Sequence, residues 1–287
     1  MFNKRHIVRT IAATVSILAL SFTAACGSGQ STASNSTDSD DITQQTYKPG
    51  KLTIATGQPA YEPWVMNDKP ESGEGYEAAV AYAVADKLGF KKSDVVWTRT
   101  AFDTAIAPGA KDWDFNIQQF GITDERKKAV DFSSSYYNDS QSVVVKKDSK
   151  FANATKVSDL KDATVGVMVG TLAYDYAKAN IKDDIQTFND DAALAQALDA
   201  GQIDALVTST VECVYMVQSE QVKDAKVLGR LPDSEDKSGM GIVLPKDSKL
   251  TAAVTKAVDD LNADGTIKKL QGKWLAEYTT DLTELKK

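Results

Sequence analysis

The sequence predicts an α/β protein of two domains, each a mostly parallel sheet flanked by helices. Short β-rich runs alternate with stretches of helical period, the wiring of parallel strands joined by crossover connections. A length of 287 residues is enough for two such units and short of three. The composition, 42% hydrophobic and 25% charged, is that of an ordinary globular chain.

The chain opens with a targeting segment over residues 1–25. Lys4, Arg5 and Arg9 form a positive region, Ile11 to Ala19 an apolar one, and Ala24-Ala25 the small residues before a cut. That apolar stretch is too short to span a membrane comfortably. Thr23-Ala24-Ala25-Cys26 resembles a lipoprotein signal, with Thr23 where leucine is usual, so Cys26 is expected to carry the lipid. Residues 26–49 then read as a tether, because Gly27 to Asp41 is polar, low in complexity and has nothing to bury. Lipid, leash and globular body together describe a protein exported and held at the outer face of the cell membrane.

Removing residues 1–25 takes away three basic residues and no acid, leaving 30 basic against 40 acidic and a net charge near −10. Such a balance argues against nucleic acid or anionic lipid as a partner. His6, the only histidine, leaves with the same segment. The remainder therefore has no Ser-His or Cys-His pair and no histidine metal ligand, and no metal or other cofactor is expected. With Cys26 lipidated, Cys213 stands alone in an apolar run that reads as a buried helix, and stability must come from core packing.

The folded body begins with the alternating run Lys51 to Thr56 and a turn-rich loop, Gly57 to Trp64. Tyr61 in that loop is open to packing or to ligand contact. Tyr76, Ala79, Val80, Ala83, Val84 and Leu88 recur at helical spacing, and Gly89 supplies a left-handed stop. Val95 to Thr98 is the second strand, and Thr100 or Asp103 can cap a short helix containing Phe102 and Ile106. Asp114 to Gln119 alternates again as a strand.

Next comes Ile122-Thr123-Asp124-Glu125-Arg126-Lys127-Lys128-Ala129-Val130-Asp131-Phe132-Ser133. Alone, its charges would be a solvated helical face. Arg126, however, sits about one turn past a strand end, where open α/β sheets hold their ligands, and its guanidinium fork matches a carboxylate. The run resembles the signature Ile-Thr-x-Glu-Arg-x-x-x-Val-Asp-Phe-Ser of the family 3 extracellular solute-binding proteins, receptors of ABC importers for polar amino acids. The similarity extends from about Lys51 to about Trp274.

That resemblance implies the type II periplasmic-binding-protein fold, two lobes joined by two crossing strands. Residues 50–138 and 239–287 would form the first lobe and 139–238 the second. It assigns Tyr61 and Phe102 to aromatic positions of the cleft, Arg126 to the ligand carboxylate, and Gly121 to a backbone contact. Gln119 and its neighbour Gln118 depart from the family's small residues, and either read the ligand or face solvent.

In the second lobe, the strand Thr164 to Val169 breaks at Gly170-Thr171 before a helix from Leu172 to Asn180. The break is open to two readings, a tight turn with an N-cap or a helix end offering N–H groups to an anion. A helix from Asp191 to Ala200 and a strand Asp204 to Val207 follow. The family usually then places an acid for the ligand ammonium, and here stand Thr208 and Ser209. Gln58 likewise replaces a common aspartate of the first loop, so Glu62, Asp124 or Glu212 would have to serve. A helical stripe from Leu250 to Leu261 and a last helix from Thr266 to Trp274 complete the chain.

The resemblance thus implies a monomeric binding protein for a small polar or amino-acid-like solute, which it delivers to a membrane permease driven by a separate ATPase. No Gly-x-x-x-x-Gly-Lys-Ser/Thr run for ATP occurs in the chain itself. Two other readings stay open: a dehydratase-like enzyme on the same scaffold, using Glu62 or Glu212 as acid, and a ligand-sensing partner of a membrane receptor.

Overall fold

The computed structural model of the protein describes residues 41–279 and 282–287. The targeting segment, Cys26 and most of the expected tether lie outside them. Two five-stranded sheets form two halves. The first is built by β1 (Leu52–Thr56), α1 (Tyr76–Lys87), β2 (Val95–Arg99), α2 (Phe102–Ile106), β3 (Phe115–Asn116) and β4 (Val130–Tyr137). The chain then crosses to β5 (Gln141–Lys146), β6 (Val165–Met168), α3 (Leu172–Asn180), β7 (Gln186–Phe188), α4 (Asp191–Asp199), β8 (Ala205–Ser209), α5 (Thr210–Gln218) and β9 (Ala225–Arg230). It returns through β10 (Met240–Pro245), α6 (Thr251–Ala263) and α7 (Thr266–Trp274).

The sheet orders are β2-β1-β3-β10-β4 and β7-β6-β8-β5-β9. In each, three neighbouring strands pair in parallel, and a strand entered from the other half, β10 or β5, pairs antiparallel with its two neighbours. This is the type II periplasmic-binding-protein arrangement that the sequence predicts.

Periodicity explains the packing. Leu52 and Ile54 of β1 face one way, onto Val80, Val84, Val254 and Val258 of α1 and α6. Ala55 faces the other way, toward Trp113 and Phe120. The second half buries Val143, Val145, Val165 and Val207 on one side of its sheet and Val144, Leu194, Leu198 and Leu206 on the other. Cys213 is fully buried in α5, as its apolar run predicts.

Two stretches depart from expectation. Residues 42–49, assigned above to the tether, pack on the first half: Ile42 lies against its core, Thr46 is buried, and the Tyr47 N–H donates to Asp114 at 2.5 Å. At the other end, residues 282–287 leave the first half and pair with the second. The Arg230 N–H donates to Thr283 O at 2.9 Å, the Leu285 N–H to Arg230 O at 2.9 Å, and the Val157 N–H to Lys286 O at 2.8 Å. Leu285 is buried in the second core. A free edge beside β9 and an apolar hole are thereby filled, which a polar chain end does not announce in sequence.

Candidate ligand-binding site

The carboxyl ends of parallel strands from both sheets converge on one cavity of about 840 Å³, its mouth included. Thr56 ends β1, Gln118 and Gln119 follow β3, Met168 ends β6, and Thr208 and Ser209 end β8; all line it. Ligands of open α/β sheets sit at this position.

Arg126 reaches the cavity from the short 3₁₀ turn Arg126–Lys128. Its Nη1 donates to Gly121 O at 2.6 Å, and its Nη2 crosses to the other half to donate to Gly170 O at 2.8 Å. The guanidinium carbon lies 5.5 Å from the centre of the Phe102 ring, which stacks on Phe120 at 4.6 Å. Burial lowers the Arg126 pKa against the pull of Asp175 and Asp236, yet a guanidinium stays charged. Only part of the fork is spent on these two carbonyls, which leaves further N–H donors on the guanidinium. Phe102 is therefore a support for the arginine as well as a wall.

Tyr61 lines the cavity and accepts the Ala192 N–H of α4 at 3.3 Å, spanning the seam between the halves. Gly121 is closely approached from the second half: a Cβ would stand 2.6 Å from Leu172 Cδ1 and 2.9 Å from Asp236 Oδ2, so both side chains would have to shift to admit one. Gln119 lines the cavity too, but its amide turns inward. Its backbone N–H donates to Glu77 Oε1 at 2.7 Å and its Nε2 to Glu77 Oε2. It holds a left-handed φ of 51°. The sequence left Gln119 to read the ligand or to face solvent; in the structure its amide bonds to fully buried Glu77 on α1, which requires donors. Gln58 is exposed and does not line the cavity.

From the second half, Thr171 caps α3 by accepting the Tyr174 N–H at 3.2 Å and donates to Met168 O at 2.8 Å. Leu172 and Ala173 line the cavity, and their first-turn N–H groups have no partner within the helix. The Gly-Thr break is thus an N-cap, and the first turn that follows it lines the cavity. Gly170 stands outside the lining and contributes its carbonyl to Arg126. Thr208 donates to Asp191 Oδ1 at 3.3 Å, and Ser209 caps α5 by accepting the Glu212 N–H at 3.3 Å.

Four carboxylates complete the lining: Asp139, Asp191, Glu212 and Asp236. Of the acids named from sequence as ammonium partners, only Glu212 is among them. Asp124 is fully exposed, and Glu62 is occupied at the rim by the Asn67 N–H at 2.9 Å and the Tyr215 hydroxyl at 3.3 Å. Burial pushes Asp139 and Asp191 up to about 6. Burial, and then the Asp191 charge, pushes Glu212 well above the usual carboxylate range.

Residues 52–277 match the profile of the bacterial extracellular solute-binding proteins, family 3. The chain belongs to this family. An L-arginine-binding protein of Pseudomonas aeruginosa is 29% identical over 245 residues, 80% of this chain and 88% of that one. An L-cystine-binding protein of Escherichia coli is 30% identical over 223 residues, 77% and 81% of the two chains. Among solved structures, an ancestral arginine-binding protein bound to arginine superposes with a TM-score of 0.66 at 31% identity, covering 79% of this chain and 98% of that one. The family 3 protein described here is accordingly a solute-binding protein. Among its described residues no helix is long and apolar enough to cross a membrane.

Proposed function

We propose that this family 3 protein captures an amino acid in the cavity between its halves and delivers it to the permease of an ABC importer. The observation that carries the reading is the pairing of Arg126 from one half with the first turn of α3 from the other, on one cavity. A fixed cation facing unpartnered helix N–H groups favours a carboxylate bound from both sides. Tyr61 and Phe102 wall the ligand's apolar part, Gly121 and Thr171 shape its carboxylate end, and Thr208 and Ser209 border the second half.

Binding of this kind is coupled to hinge closure. A guest that contacts both faces stabilises only the form in which both faces meet. The hinge would be the two crossings, residues 138–140 and 231–239, with residues 50–138 and 239–279 moving against 139–238. In this reading the protein is a monomer tethered by a lipid on Cys26, and it performs no chemistry on its ligand. A separate ATPase drives the permease.

Substitution of Arg126 by alanine tests the proposal. Calorimetry of the wild type with a panel of L-amino acids should find a ligand, and Arg126→Ala should weaken it by about a hundredfold or more, as expected for a buried charge pair. Unchanged affinity would overturn the assignment. One observation favours a second reading: Glu212 is a buried cleft acid with a raised pKa, the property a dehydratase would need. Any turnover of cyclic hydroxy acids by the purified protein would establish that reading instead.

A further inference from the structure

The two ends of the cavity differ in charge. The charges acting on Arg126 are those of Asp175 and Asp236, whereas those acting on Glu212 are Asp191, Asp139 and Glu77. No lysine, and no arginine other than Arg126, lines the cavity. Asp139, Asp191 and Glu212 thus form an acidic wall apart from the arginine.

Hydrogen-bond accounting points the same way. Glu212 is 4% exposed, and its Oε1 accepts the Trp64 indole N–H at 2.9 Å. Gln118 Oε1 and Asp236 Oδ2 are buried without a partner. All three residues line the cavity, and both unpaired atoms are acceptors. Buried acceptors left unpaired are costly, so the natural guest is one rich in N–H donors. A metal ion does not answer the need, because among the described residues no three His, Cys, Asp or Glu side chains are grouped to hold one. An extended organic cation does.

We propose that Asp139, Asp191 and Glu212 form a cation subsite that selects amino acids with a positively charged side chain. This rests on the amino-acid reading above, with Arg126 holding the α-carboxylate. Asp236, near Arg126 and with an unpaired Oδ2, takes the α-ammonium in place of the acid missing at Ser209 and Gln58. The wall disfavours neutral and anionic side chains.

The test is calorimetry of the purified protein with L-arginine and with L-citrulline, its neutral near-isostere, at pH 7.5. L-Arginine should bind about tenfold or more tightly than L-citrulline, and Asp191→Asn and Glu212→Gln should each bring that ratio toward one. Equal binding of the two by the wild type would overturn the cation subsite whether or not the variants fold. Variants that keep the full ratio would overturn it as well. Loss of both ligands in Arg126→Ala, combined with a wild-type ratio of one, would leave the amino-acid reading standing and remove only the subsite. No binding of any L-amino acid would remove both.

Discussion

Glu77 shows how one buried side chain outside the lining can set the cavity's shape. It is fully buried on α1, and every group it meets is a donor: the Gln119 backbone N–H, the Gln119 Nε2 and the Tyr136 hydroxyl. Burial pushes its pKa up to about 7 while those donors pull it down. The bonds hold Gln119 in a left-handed backbone state, and Gly121 follows two residues on. Glu77→Gln would turn an NH₂ toward donors, leaving a buried group unpaired at a cost of about 1–3 kcal/mol. Urea unfolding should show a lower midpoint with an unchanged slope. Wild-type stability would show that Glu77 does not hold this loop. From sequence, Glu77 is one acid in the first turn of a helix and gives no sign of burial. Of the four acids on the cavity only Glu212 was named from sequence; Asp139, Asp191 and Asp236 were hidden for the same reason. Each reads locally as a turn or helix-start acid, and what buries it is a half of the molecule distant in sequence. Arg126 and Thr171 were legible because each follows a strand end, and Tyr61 and Phe102 because the family resemblance assigns them to the cleft; all four line the cavity.

At the scale of elements, the chain's last residues act as a strap. The span from α7 to Leu285 makes a third covalent connection between halves, beside the two crossings. It adds a short segment to the edge strand β9, through bonds to both the N–H and the carbonyl of Arg230. Gly229 permits this approach, since a Cβ there would run into the Thr283 carbonyl oxygen. Gly229→Ala should therefore displace the strap and uncover Leu285, whose burial is worth about 1.5–3 kcal/mol. Hydrogen exchange should speed at the Leu285 and Val157 amides while the α1 amides keep their protection. Protection at Leu285 equal to wild type would show that the strap does not depend on that glycine. Strands and helices were otherwise readable from period and punctuation: Gly89 ends α1 with a φ of 86°, and Asp190 caps α4 by accepting the Ala193 N–H at 2.8 Å. The strap was not, because six mostly polar residues at a chain end carry no period, and only a partner edge gives them structure.

For the molecule as a whole, the buried acids determine how stability responds to pH. Glu77, Asp139, Asp191 and Glu212 all have folded pKa values raised above their ordinary ones, chiefly by burial. The folded state therefore holds protons that the unfolded chain has already released, and stability falls as pH rises through the raised values. Below about pH 4 both states are protonated and the contribution is present in full; it is lost as pH rises through about 6 for Asp139 and Asp191 and about 7 for Glu77, with Glu212 acting in the same direction. Acids with lowered values, such as Asp264 at about 2, act in the opposite sense, but their effect is complete below that window. The ligand-free protein should accordingly have its highest thermal midpoint near pH 5 and lose several degrees by pH 8, the reverse of a protein stabilised by salt-bridged carboxylates. A cationic guest reverses the trend for binding. It favours the ionised acids, so protons are released on binding and affinity increases with pH over the same range. Thermal scans from pH 5 to 8, with and without L-arginine, separate the two effects: the free midpoint should fall while the shift produced by the ligand grows. A free midpoint that is flat or rises with pH would show that these acids are ionised in the empty cavity and held so by contacts other than those described.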